Sequence, residues 1–525
     1  MTTTMADSVA KRRQPALPRL LPLAAAAMLA TAPAHAQWDV TPSVNLSGTW
    51  TDNVNLREDE LAESQFITEL RPQLAVSGNS RRLKVDAIAS WNRYAYSDKD
   101  AIQRPSDGRR TYSANLQGTL VEQMLYVDAS ANRSRRSINA FNPGADDNPY
   151  SLENQTEVKS WSVSPYLVRR FGRDATMQLR YSRDSVDTGL RNLYGNSTGD
   201  TVLLNLASGT STKALGWGLN YVRQDNDNQL VGESSSQNLS GSLRYQFTRA
   251  WAATMTAGYD KYDFEGPGGD SSGRSWSVGG VWTPSARTNV QASIGRHLYG
   301  QTGSLLATLR SRHTAWDLQY SDTITSSRRQ SLLPASIDTA SMLDRMFSGV
   351  VADPLERERL VAAYMLANGL PPSLAESINF LSNRWARQKE LRASMAWRGG
   401  RSSALFSAYR SERIALSDQQ SDSALLGSQF SSLNDNVRQH GANLNFSYRV
   451  GARSTLNTGA DYSLNESLRT GIETRKRELY VRMNRDVGRY LSTNLELRRR
   501  SGGTDFAGRR DYTEHALVAY LNMKY

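Results

Sequence analysis

Histidines would be the first sign of metal or hydrolytic chemistry, and their spacing argues against both. Of 5 in the chain, His35 falls in an N-terminal leader. His297, His313, His440 and His515 are scattered over separate segments, none at a His-x-x-x-His spacing that could share a metal ion. With 0 cysteines there is no thiolate ligand, disulfide or cysteine nucleophile. A nucleophile elbow, a lysine-bearing phosphate loop and a dinucleotide fingerprint are not expected either. His515 lies in phase with an apolar strand face, where a lipase on a barrel wall would need a serine and a polar orienter beside it. The acidic stretch Asp260, Asp263, Glu265, Asp270, with Gly266, Gly268 and Gly269, supplies oxygen ligands without the spacing of a defined calcium loop. The expectation is a protein that is not an enzyme and needs no cofactor or metal.

Arginine carries the more useful signal. Arg180, Arg244, Arg392, Arg482, Arg498 and Arg500 fall out of phase with the apolar residues around them. In a strand that places them on the opposite face, where fixed guanidinium charges lining a pore would enrich anions. The alternative is that they pair with acids on the same face, such as Glu69, Glu478 and Glu496.

The elements that would position these residues are strands. Phe66, Thr68, Leu70, Pro72, Leu74 and Val76 alternate with Ile67, Glu69, Arg71, Gln73, Ala75 and Ser77, an oily face against a wet one. The pattern returns in Leu83 to Trp91, Tyr112 to Leu120, Trp251 to Tyr259 and Ala442 to Tyr448. About 22 such segments are expected, within a range of roughly 18 to 24, each of the length a tilted membrane strand requires. Their connections alternate between short turns, such as Ser77 to Arg82 and Phe171 to Asp174, and long polar loops, such as Ser97 to Arg110 and Asn132 to Glu157. Trp50, Trp91, Tyr94, Tyr96, Trp161, Trp251, Trp276 and Trp282 crowd the segment ends as interfacial girdles would. The fold expected is all-β, a transmembrane antiparallel β-barrel of the outer membrane with a helical insert.

Both ends fit this reading. Lys11, Arg12, Arg13 and Arg19 precede an apolar run, Leu20 to Ala30, and then Ala34-His35-Ala36, so residues 1–36 read as a cleavable export signal and 37–525 as the barrel. Leu517, Ala519, Leu521, Met523 and the terminal aromatic Tyr525 resemble the assembly signal read by the barrel assembly machinery. That last strand must pair with the first, from about Trp38 to Thr51, to leave no open edge in lipid.

Residues 327–387 break the rhythm. Asp353-Pro354 can cap a helix whose stripe is Leu360, Val361, Tyr364 and Met365, ending at Asn368-Gly369. Ser373 and Glu376 form a capping-box pattern before a second stripe, Leu374, Ile378, Leu381 and Trp385. By parity the insert leaves the external end of the barrel, as a plug in the lumen or a cap on the surface. A barrel this wide would leak unless filled.

The composition is only 39% hydrophobic, with a mean hydropathy of -0.56, which suits a wall needing apolar residues at alternate positions only. Removing Lys11, Arg12, Arg13, Arg19 and Asp7 from the formal +12 leaves about +9 on the exported chain. Nucleic acid is excluded as a partner by export. Outer-membrane lipid, lipopolysaccharide and an anionic exopolysaccharide are better matches for the charge.

Two stretches resemble the PEP-CTERM system-associated outer-membrane β-barrel family. One is Trp38 to Leu56, with Pro42, Ser43, Val44 and Thr51-Asp52-Asn53-Val54-Asn55-Leu56; the other is the insert, with Asp353-Pro354, Glu356-Arg357, Tyr364 and Gly369-Leu370. The resemblance implies association with exopolysaccharide production and protein sorting in Gram-negative bacteria, and transfers no catalytic residue. The function expected is a channel or accessory pore for exopolysaccharide export or assembly, gated by the insert and working with export proteins. A general diffusion porin and a non-conducting polysaccharide-binding scaffold are the rivals.

Overall fold

The computed structural model describes residues 37–525 except 103, 145–146, 190–194, 210–213, 231, 265–270, 333–342, 344–360, 362–379, 383, 417–435, 506–509 and 525. Residues 1–36, where an export signal is expected, and Tyr525 therefore lie outside the described residues, as do Leu360, Tyr364, Met365, Leu374 and Ile378 of the insert.

Twenty-two antiparallel strands form one sheet that closes on itself. The first seven are β1 Gln37–Thr51, β2 Gln65–Asn79, β3 Leu83–Tyr96, β4 Gly108–Val121, β5 Leu125–Ser137, β6 Gln155–Phe171 and β7 Ala175–Thr188. Next come β8 Ser197–Ser208, β9 Leu215–Asn228, β10 Gly232–Gln246, β11 Trp251–Phe264, β12 Ser271–Ser285, β13 Thr288–His297 and β14 Gly300–Arg310. The rest are β15 Thr314–Ser326, β16 Trp385–Arg398, β17 Ser402–Ala415, β18 Asn436–Gly451, β19 Ser454–Ser467, β20 Glu473–Asp486, β21 Leu491–Thr504 and β22 Arg510–Lys524. A short helix, α1 Ser327–Leu332, succeeds β15. Each strand pairs with its sequence neighbours, and β22 closes on β1 from Ser43↔Lys524 to Thr51↔Ala516, as the terminal strand required.

Closure decides the environment. Every strand has a hydrogen-bonded partner on both sides, so the wall can stand in hydrocarbon, where each unmade backbone hydrogen bond would cost on the order of several kcal/mol. Two of the prolines within strands, Pro72 and Pro165, sit where a ladder skips. β2–β3 pairing jumps from Leu70↔Arg93 to Gln73↔Ser90 around Pro72, and β6–β7 from Val163↔Arg183 to Tyr166↔Arg180 around Pro165. A residue without an N–H can sit only where the ladder does without its donor.

Leu46, Leu70, Leu243, Met255, Leu444, Leu497 and Leu517 are exposed on one face, flanked by exposed Trp50, Trp91, Trp161, Trp276 towards one rim and Trp38, Trp251, Trp282, Trp316 towards the other. An apolar band between aromatic girdles on a closed antiparallel sheet is the exterior of an outer-membrane barrel, and the chain is one. Tyr94 and Tyr96 do not join the girdle. They stand out of phase with Trp91, so they point into the lumen, where both pack with Tyr150 beside the buried Ile67 and Ile102.

One end carries the short turns, such as 80–82, 122–124, 172–174 and 399–401, and the other the longer connections 52–64, 97–107, 138–154, 327–384 and 416–435. Short turns are periplasmic in such barrels, so the long connections are external. The strands reach further than periodicity indicated: the stretch read as Asn132 to Glu157 shrinks to 138–154 because β5 and β6 go on pairing to Ser137↔Gln155. The insert is shortened too. Trp385, Ala386 and Arg387 pair with Ser326, Thr325 and Ile324, so residues 385–387 belong to β16, and Trp385 is a strand residue, not the end of a helical stripe.

Candidate functional site: a lumen entered by its own connections

Two of the external connections turn inward. The first, 138–154, is shaped by its own asparagines. The Asn139 side-chain oxygen accepts from the N–H groups of Phe141 (3.0 Å) and Asn142 (2.9 Å), an Asx-type turn. Asn154 donates to the carbonyls of Asn139 (3.1 Å), Asn142 (3.0 Å) and Pro143 (3.3 Å), tying the two ends together. The loop then reaches the inner wall formed by β19–β21. Thr474 and Thr504 donate to the Phe141 carbonyl at 3.1 and 3.2 Å, and Asn465 donates to that of Ala140 at 2.6 Å. Arg500 donates to the Asp147 carbonyl at 2.5 Å, and Lys476 pairs with the Asp147 carboxylate. Burial works against the charge on Asp147, yet Lys476 and Arg500 outweigh it and hold the carboxyl below its usual range.

The second is the arm formed by the external ends of β15 and β16. The β14–β15 ladder stops at Leu305↔Tyr320, while β13–β14 continues to His297↔Gly300 and β15–β16 to Ser326↔Trp385. Above Tyr320 the arm leaves the wall. Trp385 carries lipid-face parity, yet it is buried, with its ring 6.5 Å from that of Tyr262, whose parity on β11 is inward. Asp322, also of lipid-face parity, has a side chain only 1% exposed. Arg387 donates to it at 2.8 and 2.6 Å, to the Tyr299 carbonyl at 2.9 Å and to the Gln301 carbonyl. Part of the strand edge that β14 presents without β15 is thus satisfied by a guanidinium. The arm's former outer face packs on the inner face of β11–β14, which is possible only if it bends into the lumen.

Beyond the arm, the chain crosses the lumen. Arg328 on α1 donates to Ser197 (3.0 Å) and Asn226 (2.9 Å) and pairs with Asp184, all on inward faces of β7–β9. At the far end of the connection Phe380 packs with Phe141 and Val437, and Arg413 lies 4.7 Å over its ring. Leu381 packs with Val158 and Val186, and its N–H donates to the Ser137 carbonyl. The two inward connections therefore meet. Of the stripe residues within the insert, Val361 is helical and 3% exposed and Leu381 is 6% exposed.

The six arginines all face the lumen, and five are paired. Arg180 meets Asp128 at 2.8 Å under the ring of Tyr166, and Arg392 meets Glu390 at 2.7 Å. Arg482 binds Glu496 at 2.5 Å, Arg498 bridges Glu496 and Glu514 at 3.5 Å each, and Arg500 binds Glu478 at 2.5 Å. Glu69 accepts instead from Asn92 at 2.6 Å. Arg244 is exposed and has no ion-pair partner among the described residues. Sequence reasoning missed the Asp147, Asp322, Arg328 and Arg387 contacts; only Ile138 and Phe141, isolated apolar residues in a polar loop, hinted at one of them.

The catalytic candidates stay apart. His515 faces outward with its Nδ1 2.8 Å from Asp52, but among the described residues no serine bonds to the ring. Contrary to expectation, Gly195–Gly199 and Gly269–Gly273 do match Gly-x-Ser-x-Gly, but they run into β8 and β12, with no helix after the serine. Asp260 and Asp263 lie on β11, and Asp260 accepts from Asn238 at 2.5 Å. Among the described residues no group of three or more acidic or histidine side chains could hold a metal ion.

No protein-family model matches the sequence, and a search of the curated proteins finds no relative. Among solved structures, the siderophore receptor PiuA from Acinetobacter baumannii aligns over 92% of this chain and 82% of its own at 9% identity, with a TM-score of 0.47. The siderophore receptor PirA from Pseudomonas aeruginosa aligns over 93% and 80% at 12% identity (TM-score 0.37). OpdK from the same organism, crystallised with vanillate, aligns over 93% and 99% at 9% identity (TM-score 0.33). These overlays are loose, and what this barrel does has to be read from its own lumen.

Proposed function

We propose that this outer-membrane barrel is a channel or accessory pore for an exopolysaccharide, stopped at rest by its two inward connections, and that it is not an enzyme. The observation that carries the reading is the inner wall of β10–β13. Its inward residues include Ser240, Ser242, Thr254, Thr256, Ser277 and Gln291, hydroxyls and amides that can exchange hydrogen bonds with a sugar chain in place of water. Arg244 adds one open cation, which suits a polymer that is neutral or sparsely anionic. The family resemblance points to the same cargo class, with export proteins as partners.

The test joins conductance to secretion. The full chain in a planar bilayer should pass little current, and replacing residues 333–379 by a short Gly-Ser linker should raise conductance severalfold. A deletion strain should lose surface polymer. Unchanged conductance would remove the stopper; unchanged polymer would remove the cargo and leave a diffusion porin or a scaffold.

A further inference from the structure

The lipid-facing wall carries a groove that the lumen does not explain. On β19 the outward residues Thr458 and Ala460 are small, while Leu444 on β18 and Leu479 and Val481 on β20 stand tall on either side. The hollow has a volume of about 590 Å³, and its floor continues past Leu497 to Leu517 and Trp50. It is lined by apolar side chains up to a definite level and by cations above it.

That change of chemistry tracks the register. The row Thr458, Val481, Leu497, Leu517, Trp50 is almost wholly apolar, whereas the next row outward runs Ala460, Leu479, Arg499, His515. One row further, Arg477 stands across from Tyr462, its guanidinium 5.9 Å from that ring. Arg477 pairs with Ser501 and Leu479 with Arg499, so the two arginines are diagonal same-face neighbours whose long side chains can meet on one ligand. Arg475 comes two residues along, paired with Glu473 at 2.8 Å.

Several other outward arginines near the external rim are neutralised by carboxylates: Arg133 by Glu157 (2.6 Å), Arg183 by Asp200 (3.1 Å), Arg223 by Asp225 (2.9 Å) and Arg438 by Glu412 (3.2 Å). Arg477 and Arg499 are exposed and have no carboxylate partner among the described residues. Two open guanidiniums at the mouth of an apolar groove, at the level of the outer-leaflet headgroups, are complementary to an anion that carries acyl chains.

We propose that this wall binds a phosphorylated, multiply acylated glycolipid of the outer leaflet, of the lipopolysaccharide class. An acyl chain lies in the groove over Thr458 and Ala460, and a sugar phosphate is held between Arg477 and Arg499. His515, fixed by Asp52 at 2.8 Å, bounds the site on the β22–β1 side. The site is on the opposite face of the wall from the stopper, so it stands or falls independently of the channel assignment.

Native mass spectrometry of the full chain in detergent, titrated with bisphosphorylated lipid A, tests it. Wild type should retain the lipid, whereas dephosphorylated lipid A, phosphatidylglycerol and inorganic phosphate should bind far more weakly. Arg477→Gln with Arg499→Gln should weaken retention about tenfold or more. Ala460→Phe, which fills the groove and leaves both cations, should weaken it as well, and Arg223→Gln on the opposite flank should not. Heat-modifiable migration on gels verifies that each variant forms a barrel, and the groove variant decides if the double variant does not assemble. Equal binding of phosphatidylglycerol, full competition by inorganic phosphate, or retention unchanged in the groove variant would overturn the assignment.

Discussion

The inner wall of β10–β14 and the inner wall of β16–β22 with β1 are built on the same alternation but differ in state. On β16–β22 and β1, inward Ser394, Ser407, Arg413, Asn445, Glu496, Arg500 and Thr51 are all buried. On β12–β14 no inward side chain among the described residues is buried. Charge shows the same division: the covered flank holds the Arg482–Glu496–Arg498–Glu514 ladder, and the open flank is mainly hydroxyls and amides, with Arg244 unpaired among the described residues. A polar group can be covered only if its charge or hydrogen bonds are matched, so pairing marks where the stopper rests and open polar surface marks where cargo can run.

The largest effect should come from breaking the covered side. Arg500 is 7% exposed and is shared by Glu478, Glu514 (3.6 Å) and the Asp147 carbonyl. Arg500→Ala leaves those acids buried without their cation, a loss of about 3 to 5 kcal/mol for a buried pair. The variant should unfold at lower temperature in the heat-modifiability assay and show larger conductance as residues 138–154 come away. A lower melting temperature with unchanged conductance would mean that this loop does not obstruct the path.

Acid should release the same loop by a second route. Lys476 and Arg500 hold the Asp147 carboxyl below the ordinary carboxylate range in the folded protein. A group depressed on folding contributes stability that is full above its unfolded pKa and is lost as pH falls through the folded one. Docking should therefore be constant from neutral pH down to about 4 and weaken only below that. Single-channel records should show added openings in that acid window, and Asp147→Asn should abolish the pH dependence. Openings that increase instead between about pH 5 and 7, where histidine titrates, would contradict this assignment.

How much of this could be read in the chain depends on the range of each interaction. Strand existence, face and parity are set by a period of two within about ten residues, so the strand number, the closure of the last strand on the first and the inward phase of the arginines were legible. The bend of the β15–β16 arm was not. It depends on the β14–β15 ladder ending at Tyr320, and on Trp385 meeting Tyr262, far away in sequence. Lone Tyr94 and Tyr96 were misplaced because aromatic residues serve girdle and lumen alike, and only their phase against Trp91 separates the two. Parity also could not tell a paired arginine from an open one, since the acid partner often sits on another strand.

The contrast between paired and open arginines gives a smaller, sharper test of the two flanks. Arg244→Glu inverts the charge on the open wall, whereas Arg482→Gln removes a cation already neutralised by Glu496 at 2.5 Å. In a salt gradient, Arg244→Glu should move the reversal potential towards cation preference by an amount set by roughly 1 kcal/mol of local potential. Arg482→Gln should shift selectivity less and stability more. If the two substitutions shift the reversal potential equally, ions do not prefer the β10–β14 side and the division into flanks fails as a description of the path.

The smallest effect tests whether the difference between flanks belongs to the external end alone. The periplasmic turns 122–124 and 172–174 are alike in length, and each needs a residue with positive φ, supplied by Gly172 (φ 56) in one and Gln123 (φ 62) in the other. Glutamine in the left-handed region costs about 1 kcal/mol that glycine avoids, offset in part by the greater freedom glycine has in the unfolded chain. Gln123→Gly should raise stability by about 0.5 kcal/mol, read as a small increase in melting temperature, and leave conductance, acid response and reversal potential untouched. A change in conductance from so distant a turn would mean that the periplasmic end takes part in closing the lumen, because the turn lies at the opposite end of the strands from residues 138–154 and the β15–β16 arm.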